Sequence, residues 1–436
     1  MTPQEIVMLC TCDLAGQVRG KGFPASDMED RLVKGIGWTP TNSMITAHGP
    51  IAPSPWGPFG DLVLAPAPET RVRVDFGAEH AAEHFVMADI RHLDGTPWAV
   101  CPRSFLKRVL AAIEERHGLR VKAAFEHEFI YDAVEERPNA SYALDAFRRQ
   151  GRFAENYLGA LRQAGLTLDT FMPEYGPMQY EVTVGPAVGV AAADQAVAVR
   201  ELARGTASRM GGRASFTPIL RPDAVGNGVH VHFSLSDAAS GAPVNHDAAQ
   251  SHGMSARAGA FVAGILALLP AITALTAAAT TSYLRLIPNR WSAAYNNLGL
   301  RDREAGVRIC PVFRQADISK QYHFEFRAAD AAASPYLLLG AILAAGLHGL
   351  DRGLPVPTVC EGAPQDMDPQ KLRDLAIERL PQSLGEALDR FEQDRDLEPI
   401  LGADLKTAYL AHKRFEAALM KDLSPEEQCE KYRLAY

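Results

Sequence analysis

Four short segments of this chain share one period-two pattern of apolar and ionisable positions. In FEHEFIYD, Glu126 and Glu128 alternate with Phe125, His127 and Phe129. In MQYEVTV, Gln179, Glu181 and Thr183 alternate with Tyr180, Val182 and Val184. VHVHFSL sets His230, His232 and Ser234 against Val229, Val231, Phe233 and Leu235, and HFEFR sets Glu325 and Arg327 against Phe324 and Phe326. Side chains on a strand point alternately to opposite faces. Each segment therefore presents an apolar face to a core and a row of ionisable groups to the other side. One such segment alone reads as an antiparallel strand with a solvated face. Solvated faces carry mixed Lys, Thr, Ser and Glu, however, and here six of the ten polar positions are Glu or His and none is Lys, which points to a shared cavity.

The remaining pattern sets this cavity in an α+β frame. The first hundred residues are rich in Pro, Gly and short β-type runs (IVMLCTCDL, DLVLAPAP, TRVRVDF, EHFVMADI), which predicts a small sheet domain with few helices. A boundary falls near residues 98–103, dividing the chain into domains 1–100 and 101–436. Pro102 and Ser104 then open an amphipathic helix with Leu106, Val109, Leu110 and Ile113 on one stripe and Gly118 as its stop. Helices are also predicted over 148–164, 191–210, 371–396 and 405–435. Residues 258–281 carry no charge and are long enough to span a bilayer. Their Ala, Gly and Thr content and Pro270 favour a helix buried in a large domain, and residues 331–350 read the same way.

Composition narrows the partners. With 44 Lys and Arg against 52 Asp and Glu, the net charge is −8. This argues against a nucleic-acid or anionic-membrane surface, which needs a basic face. Yet Arg285, Arg290, Arg301, Arg303 and Arg308 fall within 24 residues, with Trp291 among them. Such a local cluster in an acidic chain reads as a site for small anions. The six cysteines have no framework spacing, and Cys10-Thr-Cys12 lacks a nearby histidine, so free thiols in a reducing compartment are expected. The run to Asp13 has no basic segment followed by a long apolar one, so a cytoplasmic location is expected.

Carboxylates that share a cavity raise each other's pKa unless cations neutralise them. Glutamates with one or two histidines suit Mg²⁺ or Mn²⁺ better than structural zinc. The His-x-His of His230 and His232 is a weak signal alone. Together with Glu126, Glu128, Glu181 and Glu325 it indicates a two-metal carboxylate site. Arginine forks clamp phosphate and carboxylate, so metals and arginines together indicate phosphoryl transfer from a nucleotide. GQVRGKG is not a Walker loop, and neither G-x-S-x-G nor G-x-G-x-x-G occurs.

FEHEF, EYGPMQYE, GNGVHVHFSL, RLIP followed by RDR and VRI, and FEFRAADAAASPYLLLGAILAAGLHGL resemble the glutamine synthetase family, in that order. The resemblance implies a β-grasp N-terminal domain, then a catalytic domain whose antiparallel strands form a metal-lined funnel surrounded by helices. It implies homo-oligomeric rings, often dodecamers, with each site completed by a neighbour's N-terminal domain. Glu128, Glu174 and Glu181 match the ligands of a first metal, and Glu126, His230 and Glu325 those of a second. His232, Ser234 and Lys320 match nucleotide contacts. Arg303 and Arg308 match the arginines on the transferred phosphoryl group. Arg285 and Arg327 match the pair on glutamate, and Gly226 a backbone contact to it. The implied reaction is phosphorylation of the γ-carboxylate of glutamate by ATP, followed by attack of an amine, and Arg290 has no matched role and is expected to be solvated.

Two positions depart from the family, and both concern the amine. Six residues after Arg285, ammonia-using members carry a flap glutamate that helps deprotonate ammonium; here the residue is Trp291. Thr39 stands where the N-terminal loop provides an aspartate for ammonium, leaving Glu174 as the surviving carboxylate. A compact cation needs negative charge, whereas tryptophan brings a large, rigid apolar surface. The expected nucleophile is therefore an amine bulkier than ammonia, with Trp291, Glu174 and Thr39 at its pocket. Ammonia-using glutamine synthetase activity and a non-catalytic structural or sensor relative are the alternatives.

Overall fold

The structure, a computed structural model, describes residues 4–138, 140–313 and 318–436. The N-terminal part is a mixed sheet of β1 (Ile6–Cys12), β2 (Val18–Pro24), β3 (Ile36–Trp38), β4 (Leu62–Pro66), β5 (Val72–Val74) and β6 (Glu83–His92). Its order is β2-β1-β6-β4-β3, with β5 also on β6. The pairing of β1 with β6 is parallel and the rest antiparallel. One short helix, Met28–Lys34, accompanies it. Strand β2 escapes the period-two reading because its alternate positions are glycines. A Cβ on Gly20 would lie 2.0 Å from the Leu9 carbonyl oxygen, so the glycine run serves close packing on β1.

The larger sheet has nine strands: β7 (Leu119–Tyr131), β8 (Leu168–Pro173), β9 (Gln179–Val184), β10 (Ala187–Val188), β11 (Ala214–Ser215), β12 (Val229–Asp237), β13 (Leu298–Leu300), β14 (Val307–Ile309) and β15 (Phe324–Phe326). The order is β13-β14-β15-β12-β7-β9-β8, with β10 and β11 on β7. Among the described strands of this sheet, only β13 and β14 run parallel. All four alternating segments are strands of this sheet, and their apolar rows are buried. His127 belongs to that inner face: it stacks on Phe125, and burial pushes its pKa down to about 3.

Two largely apolar helices lie behind the sheet. Ala256–Thr276 is buried along most of its length and packs on Pro335–Arg352. A Cβ on Gly264 would stand 2.2 Å from the Ala345 carbonyl oxygen, and one on Gly349 would stand 2.1 Å from that of Ala260. The small residues that weakened the membrane reading thus permit a close helix crossing. Helices predicted as continuous are broken where the backbone turns. Residues 148–164 split into Leu144–Arg149 and Phe153–Gln163 around Gly151 at φ 62°. The 371–396 stretch splits into Pro369–Asp374 and Leu384–Gln393, and the last helix divides at Ser424, which caps Pro425–Ala435. Amphipathic periodicity runs through each break; the left-handed Gly151 decides the first, and the side-chain caps of Ser383 and Ser424 decide the other two.

Buried Arg200 joins the two parts, donating to the carbonyls of Ala331 at 2.7 Å and of Gly16 at 3.0 Å. Arg103 makes a second junction, with Asp194 at 2.9 Å and Asp89 at 2.9 Å. The six cysteines are free and buried.

Candidate functional site

Strand register assembles the site. On the polar face, His230 lies opposite Glu126 across β7 and β12, and Glu128 lies opposite Glu181 across β7 and β9. Across β15, Glu325 faces His232 on one side and Arg308 on the other. Donor atoms of Glu126, His230 and Glu325 fall within 4.8 Å of one another. The His230 Nδ1 is 3.3 Å from Glu126 and 3.6 Å from Glu325.

The carboxylates divide electrostatically. Burial opposes ionisation of Glu126, but His230 and His232 outweigh it and hold this carboxyl well below its usual range. Burial likewise opposes Glu325, which Arg327, His230 and His232 nevertheless draw down to about 2. In contrast, burial and the charge of Glu174 push Glu128 up to about 8. Burial and the charges of Glu126, Glu128, Glu174 and Glu325 push Glu181 up to about 9. Glu174 itself is raised by burial, against the Tyr175 N–H at 2.8 Å and the Tyr142 hydroxyl at 3.2 Å. Three carboxyls that resist ionisation together, beside a cluster of two carboxylates and an imidazole, form a donor set that fits hard divalent cations.

The arginines line the same space. Arg308 donates to Glu325 at 2.7 Å, and Arg327 bonds the other Glu325 oxygen. Arg285 is buried, donating to Ser292 Oγ at 2.7 Å and to the Ala329 carbonyl. Arg285, Arg308 and Arg327 each keep a buried Nε without a hydrogen-bond partner among the described residues. A buried orphan donor is costly, and three converging on one cavity suit anionic ligands. Gly226 is required here by packing: a Cβ would lie 2.2 Å from Arg285 Cδ. Arg303 is exposed, and its charge reaches Glu174.

Trp291 is 67% exposed and sits at φ 53°. Its N–H donates to Glu304 at 2.9 Å, the same carboxylate takes the Asn289 N–H at 3.1 Å, and its carbonyl accepts from Arg327 at 3.3 Å. The structure thus ties this loop directly to the funnel. Arg290, expected to be solvated, instead donates to the Ala224 carbonyl at 2.9 Å, bracing the loop against the one that carries Gly226.

Other positions lie farther out. Ser234 follows His232 on the same face of β12, half-buried, and Lys320 is exposed on the short helix Ile318–Gln321. Thr39 follows β3 in the N-terminal sheet and makes no side-chain contact with the funnel among the described residues. Sequence reasoning missed three contributors. Tyr142 reaches Glu174, Glu304 holds the tryptophan loop, and Gln179 ties Glu128 to the turn before β12 through the Gly226 carbonyl at 2.9 Å. Only Gln179 left a signal, by standing in the polar row of β9.

The chain matches the family model of the glutamine synthetase catalytic domain over residues 99–432, and that of the glutamine synthetase N-terminal domain over residues 1–98. The γ-glutamylpolyamine synthetase GlnA3 of Streptomyces coelicolor is 34% identical across 99% of this chain and 93% of its own. The glutamine synthetase of Pyrococcus furiosus is 29% identical across 91% and 87%. A crystal structure of a glutamine synthase homologue superposes with a TM-score of 0.92 at 44% identity, covering 100% of this chain and 99% of that one. A GmaS/ADP complex gives 0.81 at 26% identity, with 97% and 95% covered. On these matches and this site the chain belongs to the glutamine synthetase family and is an ATP-dependent ligase, in a family that uses divalent metals and acts on glutamate, an amine and ATP.

Proposed function

We propose that this ligase joins the γ-carboxylate of glutamate to an organic amine through γ-glutamyl phosphate, and that Trp291 carries the choice of nucleophile. The observation behind this reading is the loop itself. Where a flap carboxylate would serve ammonium, the chain presents an exposed indole whose backbone is tied to Arg327. The Tyr142 hydroxyl and the Tyr175 backbone N–H both reach Glu174, at a largely exposed point of the chain. An aromatic side chain beside a carboxylate favours an alkylammonium head with an apolar body. The likeness to a γ-glutamylpolyamine synthetase and to GmaS, a γ-glutamylmethylamide synthetase, supports the same class.

In the first step a γ-carboxylate oxygen of glutamate attacks the γ-phosphorus of ATP and ADP leaves. In the second, the amine nitrogen attacks the acyl carbon, phosphate departs, and the nitrogen gives up a proton. Arg285 and Arg327, braced by Gly226, hold the glutamate carboxylates. Arg303 and Arg308 hold the moving phosphoryl group, where permanent guanidinium charge meets developing negative charge. His232, Ser234 and Lys320 hold the nucleotide. Glu174 is the carboxylate placed to receive the proton of an alkylammonium.

Two Mg²⁺ or Mn²⁺ ions fit the donors, one at Glu128, Glu174 and Glu181, the other at Glu126, His230 and Glu325. When bound they supply charge neutralisation at the phosphates. Thr39, remote from its own funnel, suits the neighbour's site in a homo-oligomeric ring in the cytoplasm.

The test is a screen of ammonium, methylamine, ethanolamine, spermidine and aniline with ATP, Mg²⁺ and glutamate, detecting the γ-glutamyl product by mass. An alkylamine should exceed ammonium by about tenfold or more in kcat/KM, the worth of one good aromatic contact. Equal turnover with ammonium overturns the reading. W291E should move the preference toward ammonium by a similar factor.

A further inference from the structure

Beside the hard-cation cluster the funnel holds a second group of donors, of which only His232 has a role above. His232, Cys310 and His323 bring one donor atom each within 4.8 Å of one another. His323 Nε2 lies 3.1 Å from His232 Nδ1, and Cys310 Sγ lies 3.8 Å from that same nitrogen. Cys310 is buried and the two imidazoles are half-buried.

The outward nitrogens of both rings are already engaged. His323 Nδ1 meets the Gln321 carbonyl at 2.6 Å, which can only accept, so this nitrogen carries the hydrogen. His232 Nε2 makes an ion-pair contact with Glu126 Oε1 at 2.9 Å, too oblique for a hydrogen bond, yet a carboxylate there favours the hydrogen on that side. The two remaining ring nitrogens therefore face each other across 3.1 Å, beside a thiol, where a proton or a cation can stand between them. Histidine metal ligands are held in this way, with the second ring nitrogen on a carboxylate or a backbone carbonyl.

Zinc binds imidazole nitrogen at about 2.0–2.1 Å and thiolate at about 2.3 Å in a tetrahedron, which separates neighbouring donors by about 3.3–3.6 Å. The observed 3.1 and 3.8 Å differ from this by a few tenths of an ångström. Imidazole and thiolate prefer such a borderline cation to Mg²⁺. Three protein donors leave a fourth position for solvent.

We propose that His232, Cys310 and His323 form a Zn²⁺ site adjoining the hard-cation site, and that zinc bound there inhibits the ligase competitively with ATP. The site itself is independent of which amine is used. The competition rests on the proposed nucleotide contact of His232, which cannot serve both ligands.

The experiment titrates Co²⁺, then Zn²⁺, into the full-length protein in excess Mg²⁺. The expected result is a thiolate-to-cobalt charge-transfer band, abolished by one equivalent of zinc. C310S should remove the band and weaken zinc inhibition by about 100-fold, the upper end of what outer-sphere losses already cost a metal site, while retaining Mg²⁺-dependent turnover. H323Q should weaken the band without deleting the thiol, which keeps the test decisive if C310S does not fold. A wild-type cobalt complex with no thiolate band, or equal zinc sensitivity in C310S, overturns the site. A zinc-sensitive band with an unchanged KM for ATP overturns the competition alone.

Discussion

Glu126 and Glu128 stand two residues apart on β7, face the same cavity, and ionise in opposite directions. Burial opposes the charge of both. The difference is what the neighbouring strands set against them. Opposite Glu126 is His230, with His232 beside it; opposite Glu128 is Glu181, with Glu174 beyond. One half of the funnel carries its own counter-charge, and the other is a bed of acids awaiting one. The second half therefore depends more heavily on cations for its geometry.

The largest expected effect follows from this asymmetry. Glu128→Ala should lower kcat by about 10³-fold, as removal of a principal electrostatic group does, measured by phosphate release at saturating ATP and Mg²⁺. An unchanged kcat would break the comparison at its centre. Next, Gly226→Ala should displace Arg285, whose charge helps restrain the pKa of Glu128, and raise KM for glutamate by about 10²-fold. Isothermal titration with glutamate and an ATP analogue checks this directly.

The third measurement is thermal stability against pH, with chelator or with Mg²⁺. Glu128 and Glu181, at about 8 and about 9, titrate above the ordinary carboxyl value of 4.5, so the folded chain binds more protons than the unfolded one in that interval. Metal-free stability should therefore fall as pH rises from 4.5 toward 9, by up to about 1.4 kcal/mol per pH unit for each group. Glu325, at about 2, works in the opposite sense: its contribution is present above 4.5 and lost as pH falls through 2. Mg²⁺ should flatten the alkaline decline, and a chelated protein with no such decline would contradict the assignment. The smallest effect is expected from Tyr142→Phe. Loss of the 3.2 Å hydrogen bond should raise the Glu174 pKa and shift the acid limb of the kcat/KM profile upward, at a cost of about 1 kcal/mol.

Much of this half-and-half design was legible in the sequence, because strand periodicity is local and absolute. Phe125, His127 and Phe129 declared one face of β7, and Glu126 and Glu128 the other. Register was not legible: nothing in FEHEF says that Glu128 will meet another acid and Glu126 a base. Contacts across distant segments were equally hidden. Arg290 looked solvated because its acceptor, the Ala224 carbonyl, is a backbone group 66 residues away. His323 and Cys310 carry no signal in the sequence, because their partner His232 lies on a distant strand. Helix ends were misplaced where Gly151 and Ser424 override a periodicity that continues past them.

Glu304 leaves one further consequence. It is the residue next to Arg303, and it holds the backbone N–H groups of both Asn289 and Trp291. The loop that carries Trp291 therefore hangs from the neighbour of Arg303, so a displacement of Glu304 would be felt at both residues through two backbone hydrogen bonds.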